Sequence, residues 1–285
     1  MKTKIFLFIL VLALVFGLWF KDDIPTFYET LRSKVLQAGQ LAKEVEKDIS
    51  LPPPLRSERD YSDTFLTRSG VINWTNTQRA QNGLPPLTEN FRLNNSARMK
   101  TDDMFAEQYF EHVSPSGTDV SDLAQNAGYE FVMIGENLAL GNFKNDADLV
   151  QAWMDSPGHR ANILNTRYKE IGVSVVRGIF EGKTTWLAVQ HFGLALSTCP
   201  EPDSELKKTL TEYDSRIDTM RVQLDTLKNE MAEAKRPRDN DAYNQKVDEY
   251  NVLVKEYNAL LDELKNLTLK YNSQVSVFNR CVSGD

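Results

Sequence analysis

Three histidines and two cysteines carry most of the reactive chemistry in this 285-residue chain, so where they fall matters. His112 sits in Tyr109-Phe110-Glu111-His112-Val113-Ser114-Pro115, and His159 in Ser156-Pro157-Gly158-His159-Arg160-Ala161-Asn162. Between them, Glu136 sits in Gly135-Glu136-Asn137-Leu138-Ala139. Two imidazoles and a carboxylate in turn-rich contexts can form a metal site with open positions. They can equally form a general acid/base cluster, or serve as hydrogen-bonding residues of the fold. The separations of 24 and 23 residues are not a local metal motif, so spacing alone leaves these alternatives open. Ser114 and Ser156 lie near histidines, but proximity in sequence is weak support for a Ser–His hydrolase. His191, in Val189-Gln190-His191-Phe192-Gly193, reads as a surface or edge residue of a strand.

The elements that must position these groups follow from periodicity. Val71–Ala80 and Asn90–Gln108 suit helices. Asn145 or Asp146 can cap a short helix through Leu149, Val150, Trp153 and Met154 that ends at Pro157-Gly158. Ile171–Arg177 and Thr184–Phe192 flank Glu181-Gly182-Lys183 as a β-hairpin. Helices first and strands later favour α+β over an alternating parallel sheet. Trp153 and Trp186 read as core anchors, and Asn137 and Asn162 as residues that tie loops.

Residues 61–198 carry these motifs in order: an Asn76-Thr77-Gln78-Arg79-Ala80-Gln81-Asn82-Gly83-Leu84 opening, then H-x-SP, GENLA, W-M-x-SPGHRANIL and VQHFG. The set resembles the CAP superfamily, the SCP-like proteins that include cysteine-rich secretory, antigen 5 and pathogenesis-related proteins, in its bacterial branch. The resemblance spans about residues 66–196. It implies an α-β-α sandwich with a central antiparallel sheet and a broad cleft. It also implies that His112, Glu136 and His159 face that cleft and can hold a divalent metal such as zinc. The family's fourth acidic position falls on Ser156, so the full acidic and histidine set is incomplete here.

The remainder of the chain frames this domain. Lys2 and Lys4 precede an uncharged run over residues 5–20, read as a membrane anchor with a cytoplasmic N-terminus; a cleaved signal segment (1–20) is the alternative, and either exports the rest. Residues 21–60 read as a stalk helix ending in a stiff spacer, Leu51-Pro52-Pro53-Pro54-Leu55. From residue 199 to 285, two heptad seams mirror each other about Arg236-Pro237-Arg238. The seams pair layer by layer at positions whose numbers add to 481, which predicts an antiparallel coiled-coil hairpin over 203–278. The same register brings Cys199 and Cys281 together, and an exported protein should oxidise them.

The fold class expected is therefore α+β: a CAP sandwich followed by the hairpin, with an N-terminal membrane helix. A net charge of −7 argues against nucleic acid, which needs a basic face. Three functions compete. One is a tethered extracytoplasmic domain whose cleft binds a lipid, glycan or peptide, with or without a metal. The second is an extracellular metal- or His-dependent hydrolase of peptides or envelope polymers. The third is an adhesion protein that captures a partner, or a second copy, through the hairpin.

Overall fold

The structure is a computed structural model that describes residues 47–61, 63–234 and 240–284. The apolar run over 5–20 and most of the stalk lie outside them. Among the described residues no helix is long and apolar enough to cross a membrane. The described chain forms two compact units: one up to Pro200 together with Cys281 onward, the other Glu201–Arg280.

In chain order the first unit contains β1 (Asp48–Ser50), β2 (Leu55–Asp60), α1 (Arg68–Gln81), β3 (Thr88–Glu89) and α2 (Phe91–Glu107). Then come α3 (Val120–Asn126), β4 (Phe131–Asn142), α4 (Asp146–Asp155), α5 (Pro157–Ile163), β5 (Glu170–Phe180) and β6 (Lys183–Ala195). Local chemistry sets the helix starts. Thr67, Asn90, Asp119 and Asn145 each turn a side-chain oxygen onto free N–H groups of the first turn. Pro157 opens α5, where its missing N–H costs nothing.

The strands form one mixed sheet in the order β1-β4-β6-β5-β3, with β2 also on β4. The central pairs β4·β6 and β5·β6 are antiparallel, whereas β1, β2 and β3 add in parallel. Alternation along β4 sorts the two faces. Ile134, Leu138 and Leu140 pack with Leu93, Ala97 and Met104 of α2, with Val120 and Ala124 of α3 beside them. On the other face, Asn137 meets α5 through the His159 carbonyl, and Gln190 reaches Thr75 of α1. Helices thus cover both faces, and nearly all of β4 is buried. Trp153 is fully buried, with its Nε1 donating to the Leu138 carbonyl at 3.2 Å; the Trp186 Nε1 donates to Thr64. Both are the anchors that the sequence suggests.

One expectation is overturned. The segment read as the end of a stalk helix and a free spacer is neither. Residues 48–50 pair with 133–135, and Leu55 and Arg56 pair with Ala139 and Leu140. The reason is that β4 exposes an unpaired edge beyond β6, and an extended Pro-containing chain is suited to lie along such an edge.

The second unit holds α6 (Ser204–Ala234) and α7 (Asn240–Ser283) up to Arg280. The two helices bury one shared cluster. It includes the seam residues Leu206, Leu210, Ile217, Met220 and Leu224 with Tyr257, Leu261, Leu264, Tyr271 and Val275. The Asp203 N–H donates to Gln274 near one end, and Lys246 pairs with Glu230 near the other, so the helices run antiparallel. A Cys199–Cys281 disulfide closes 82 residues of chain, with Cα atoms 5.6 Å apart.

Candidate functional site

Glu136 is the centre of the site. It lies mid-strand in β4, fully buried, on the face covered by α2. Both carboxylate oxygens are occupied: His112 Nδ1 donates to Oε1 at 2.6 Å and His191 Nε2 donates to Oε2 at 2.8 Å. Burial works to raise the Glu136 pKa, but the bonds from His112 and His191, with the charges of His191 and then Lys100 behind them, hold it at about 2.

His191 is thereby a correction to the sequence reading. It is fully buried, not at a surface or an edge, because β6 is a central strand and its register sets His191 directly opposite Glu136. Its Nδ1 lies 2.8 Å from Ser96 Oγ of α2. With Nε2 donating to Glu136, Nδ1 meets a hydroxyl that can either donate or accept.

His112 follows α2 and its loop. Its Nε2 lies 2.5 Å from the Pro52 carbonyl. A carboxylate on Nδ1 and a carbonyl on Nε2 are both acceptors, so both ring nitrogens carry protons when both bonds are made. The His112 backbone is pinned as well. Lys100 Nζ, fully buried in α2, donates to the His112 carbonyl at 2.7 Å and to the Tyr109 hydroxyl at 3.1 Å. Burial lowers the Lys100 pKa, while Glu136 and neighbouring acids pull it back up.

His159 stands in the first turn of α5. Its Nδ1 lies 2.8 Å from Ser156 Oγ, and its Nε2 is buried with no hydrogen-bond partner among the described residues. Burial, and then the charge of His112, lower its pKa to about 4, so the ring is neutral at pH 7. Ser156 occupies the position where the family pattern has an acid. Asp155 turns away, exposed, and accepts from Gln151. Asn162 and Asn137 clamp the strands beneath: Asn162 Nδ2 reaches Asn137 Oδ1 at 3.0 Å, with the Glu136 and Ser50 carbonyls at 3.3 Å. Gly135 is needed for space, since a Cβ there would lie 2.3 Å from the Tyr168 hydroxyl oxygen.

The structure therefore gathers Glu136 with His112, and sets His159 close enough to His112 to sense its charge. It adds His191, Ser96, Lys100 and Pro52, none of which sequence reasoning placed at the site. Lys100 had a signal: it falls on the apolar stripe of α2 marked by Leu93, Ala97 and Met104, where a solvated lysine does not belong.

A divalent metal does not fit these residues as they stand. Glu136 offers no open oxygen, and His112 Nε2 is committed to Pro52, which leaves His159 Nε2 as the free donor. The Ser156–His159 contact pairs a hydroxyl with an imidazole, but Nε2 has no carboxylate to orient the ring, as a charge-stabilised nucleophile requires.

The family model of the cysteine-rich secretory proteins, CAP, matches residues 72–192. The uncharacterised protein YkwD of Bacillus subtilis strain 168 is 42% identical over 106 residues, which is 37% of this chain and 41% of that protein. The uncharacterised membrane protein YlbC of the same strain is 28% identical over 155 residues, 54% of this chain and 42% of that protein. The chain thus spans about two fifths of the length of these curated relatives. Among solved structures, an extracellular protein containing an SCP domain from Bacillus anthracis strain Ames overlaps 44% of this chain and 39% of its own. It has 28% identity and a TM-score of 0.39. Residues 72–192 are a CAP domain, and the chain is a CAP-domain protein of the bacterial type.

Proposed function

We propose that this chain is a membrane-tethered, extracytoplasmic ligand-binding protein whose CAP cleft, at His112 and His159, takes up its ligand. The observation that carries the reading is the His159 Nε2 atom. Among the described residues it is buried, neutral and without a partner, beside an imidazole already held in place by a carboxylate. A buried polar atom left unpaired costs about 1–3 kcal/mol, which a ligand group meeting it would recover. Binding is favoured over hydrolysis because Glu136 is spent on holding His112 and His191, and His159 has no orienting acid. A divalent metal such as zinc would be held by His112 and His159 only after Pro52 withdraws. The apolar run at 5–20 would supply the tether.

The test is binding of a panel (zinc, peptide, glycan, lipid vesicles) to the full chain and to His112→Ala and His159→Ala, read by calorimetry and native mass spectrometry. The reading expects one saturable ligand class whose binding is lost in both variants. Binding that survives both substitutions, or no binding by any class, would overturn it.

A further inference from the structure

Residues 48–60 form a strap whose course singles out the site. The strap pairs with β4 on either side of the histidines, at 133–135 and again at 139–142, but not between. Over that gap run Leu51 and three prolines. Prolines have no N–H to give a sheet, so the chain lifts from the edge and its register slips by one residue across the gap. There Pro52, buried among exposed or half-exposed neighbours, inserts. Its carbonyl accepts from His112 Nε2. Its ring packs against the start of α5 so tightly that a Cβ on Gly158 would lie 2.6 Å from Pro52 Cβ. The Ser50 carbonyl accepts from Asn162. Arg56 stacks over Phe110 and Phe180 and pairs with Glu181. The strap lies wholly outside residues 72–192, the part that makes up the family domain. Without it, β4 is an edge strand with its backbone groups unpaired, and His112 Nε2 loses the Pro52 carbonyl, as His159 Nε2 already lacks a partner among the described residues.

From this we infer that the ligand of the cleft is an extended, proline-containing peptide strand, and that residues 48–60 are its stand-in within the same chain. The inference rests on the cleft reading above and gives its ligand class. Peptide backbone supplies what the site asks for: ladder partners for β4, a carbonyl for His112, and a narrow ring for the slot beside Gly158. A tethered strap acts at an effective concentration in the millimolar range, so it keeps the site closed to weak outsiders and admits a strand that pairs better.

The experiment uses the full chain with residues 51–55 replaced by a Gly-Ser run, and a fluorescein-labelled peptide carrying residues 47–60, read by anisotropy. The peptide should bind this opened chain one to one and the wild type at least about tenfold more weakly, the penalty set by the tethered competitor. A peptide with alanine at positions 52–54 should lose about tenfold or more against the opened chain, as should the native peptide against opened chain carrying His112→Phe. Hydrogen exchange across 133–142 should speed up in the opened chain. In a second variant, Gly158→Ala, exchange over 48–55 should speed up without any gain in peptide binding, because the added methyl fills the slot. No saturable binding to the opened chain, equal binding of the alanine peptide, or unchanged exchange at β4 would each overturn the inference. Histidine-dependent binding of a lipid or glycan with no peptide binding would overturn it and leave the cleft reading standing. No histidine-dependent binding of anything would overturn both.

Discussion

Replacing Glu136 by Gln probes the site with the smallest change in shape. The carboxylate accepts two ring N–H bonds in full burial. An amide accepts at one end only. His191 can adapt: if the new NH2 donates to its Nε2, its Nδ1 can carry the proton and donate to Ser96. His112 adapts less well, because both of its ring nitrogens face acceptors and the amide removes the charged one of the two. The magnitude follows from the carboxylate itself. Its pKa is held at about 2 instead of 4.5, which at about 1.4 kcal/mol per pH unit is worth about 3 kcal/mol. The sign is that of a depressed acid: the stabilisation is complete above pH 4.5 and is lost as pH falls toward 2. Glu136→Gln should therefore lower domain stability by about 3 kcal/mol at pH 7, and the gap from wild type should narrow below pH 4.5. Urea melts followed by tryptophan fluorescence read the CAP domain selectively, since α6 and α7 contain no tryptophan. Strap exchange at 48–55 should rise in parallel. A variant within about 0.5 kcal/mol of wild type, or a gap indifferent to pH, would refute the network as described.

Other perturbations have equally definite outcomes. Reduction, or Cys199→Ser with Cys281→Ser, should cost about 4–5 kcal/mol by loop entropy for an 82-residue closure, seen as a lower urea midpoint; two reactive thiols in denatured, unreduced protein would show that the bond does not form. His159 has a lowered pKa, so the unfolded chain binds the proton first. Stability should fall as pH drops from 6.5 toward 4 and then level off from this group, and His159→Asn should flatten that part of the urea-derived profile. Gly172→Ala should be strongly destabilising, by several kcal/mol in the same melts, because its Cβ would lie 2.1 Å from the Leu93 carbonyl carbon and 2.3 Å from the Asn94 nitrogen, backbone atoms that cannot yield.

Much of this was legible in the sequence where one physical signal dominated. The β5·β6 hairpin announces itself by a turn between β-branched runs, and Leu206 to Leu224 with Tyr257 to Val275 by heptad steps. The paired cysteines followed from the same register. β4 was not visible as a strand because both its faces are covered, so it shows no alternation, and Gly135, Glu136 and Asn137 interrupt its apolar run. That single omission hid the rest. Without β4 there is no opposite position for His191, and no sheet edge to turn the proline segment from a spacer into a strap. The motif resemblance brought His112, Glu136 and His159 together as candidates; it could not say that Glu136 would be consumed by two histidines.

The central claim is that His112 and His159 form one binding site, closed by Pro52. Carbethoxylation by diethyl pyrocarbonate, mapped by peptide mass spectrometry, tests it most directly in wild type and in the chain with 51–55 replaced. All three histidines should be modified slowly in wild type. Opening the strap should accelerate His112 and His159 by about tenfold or more, since local opening and not global unfolding then governs access, while His191 stays protected. Equal rates for His112 and His159 in the two proteins, or acceleration of all three together, would contradict it.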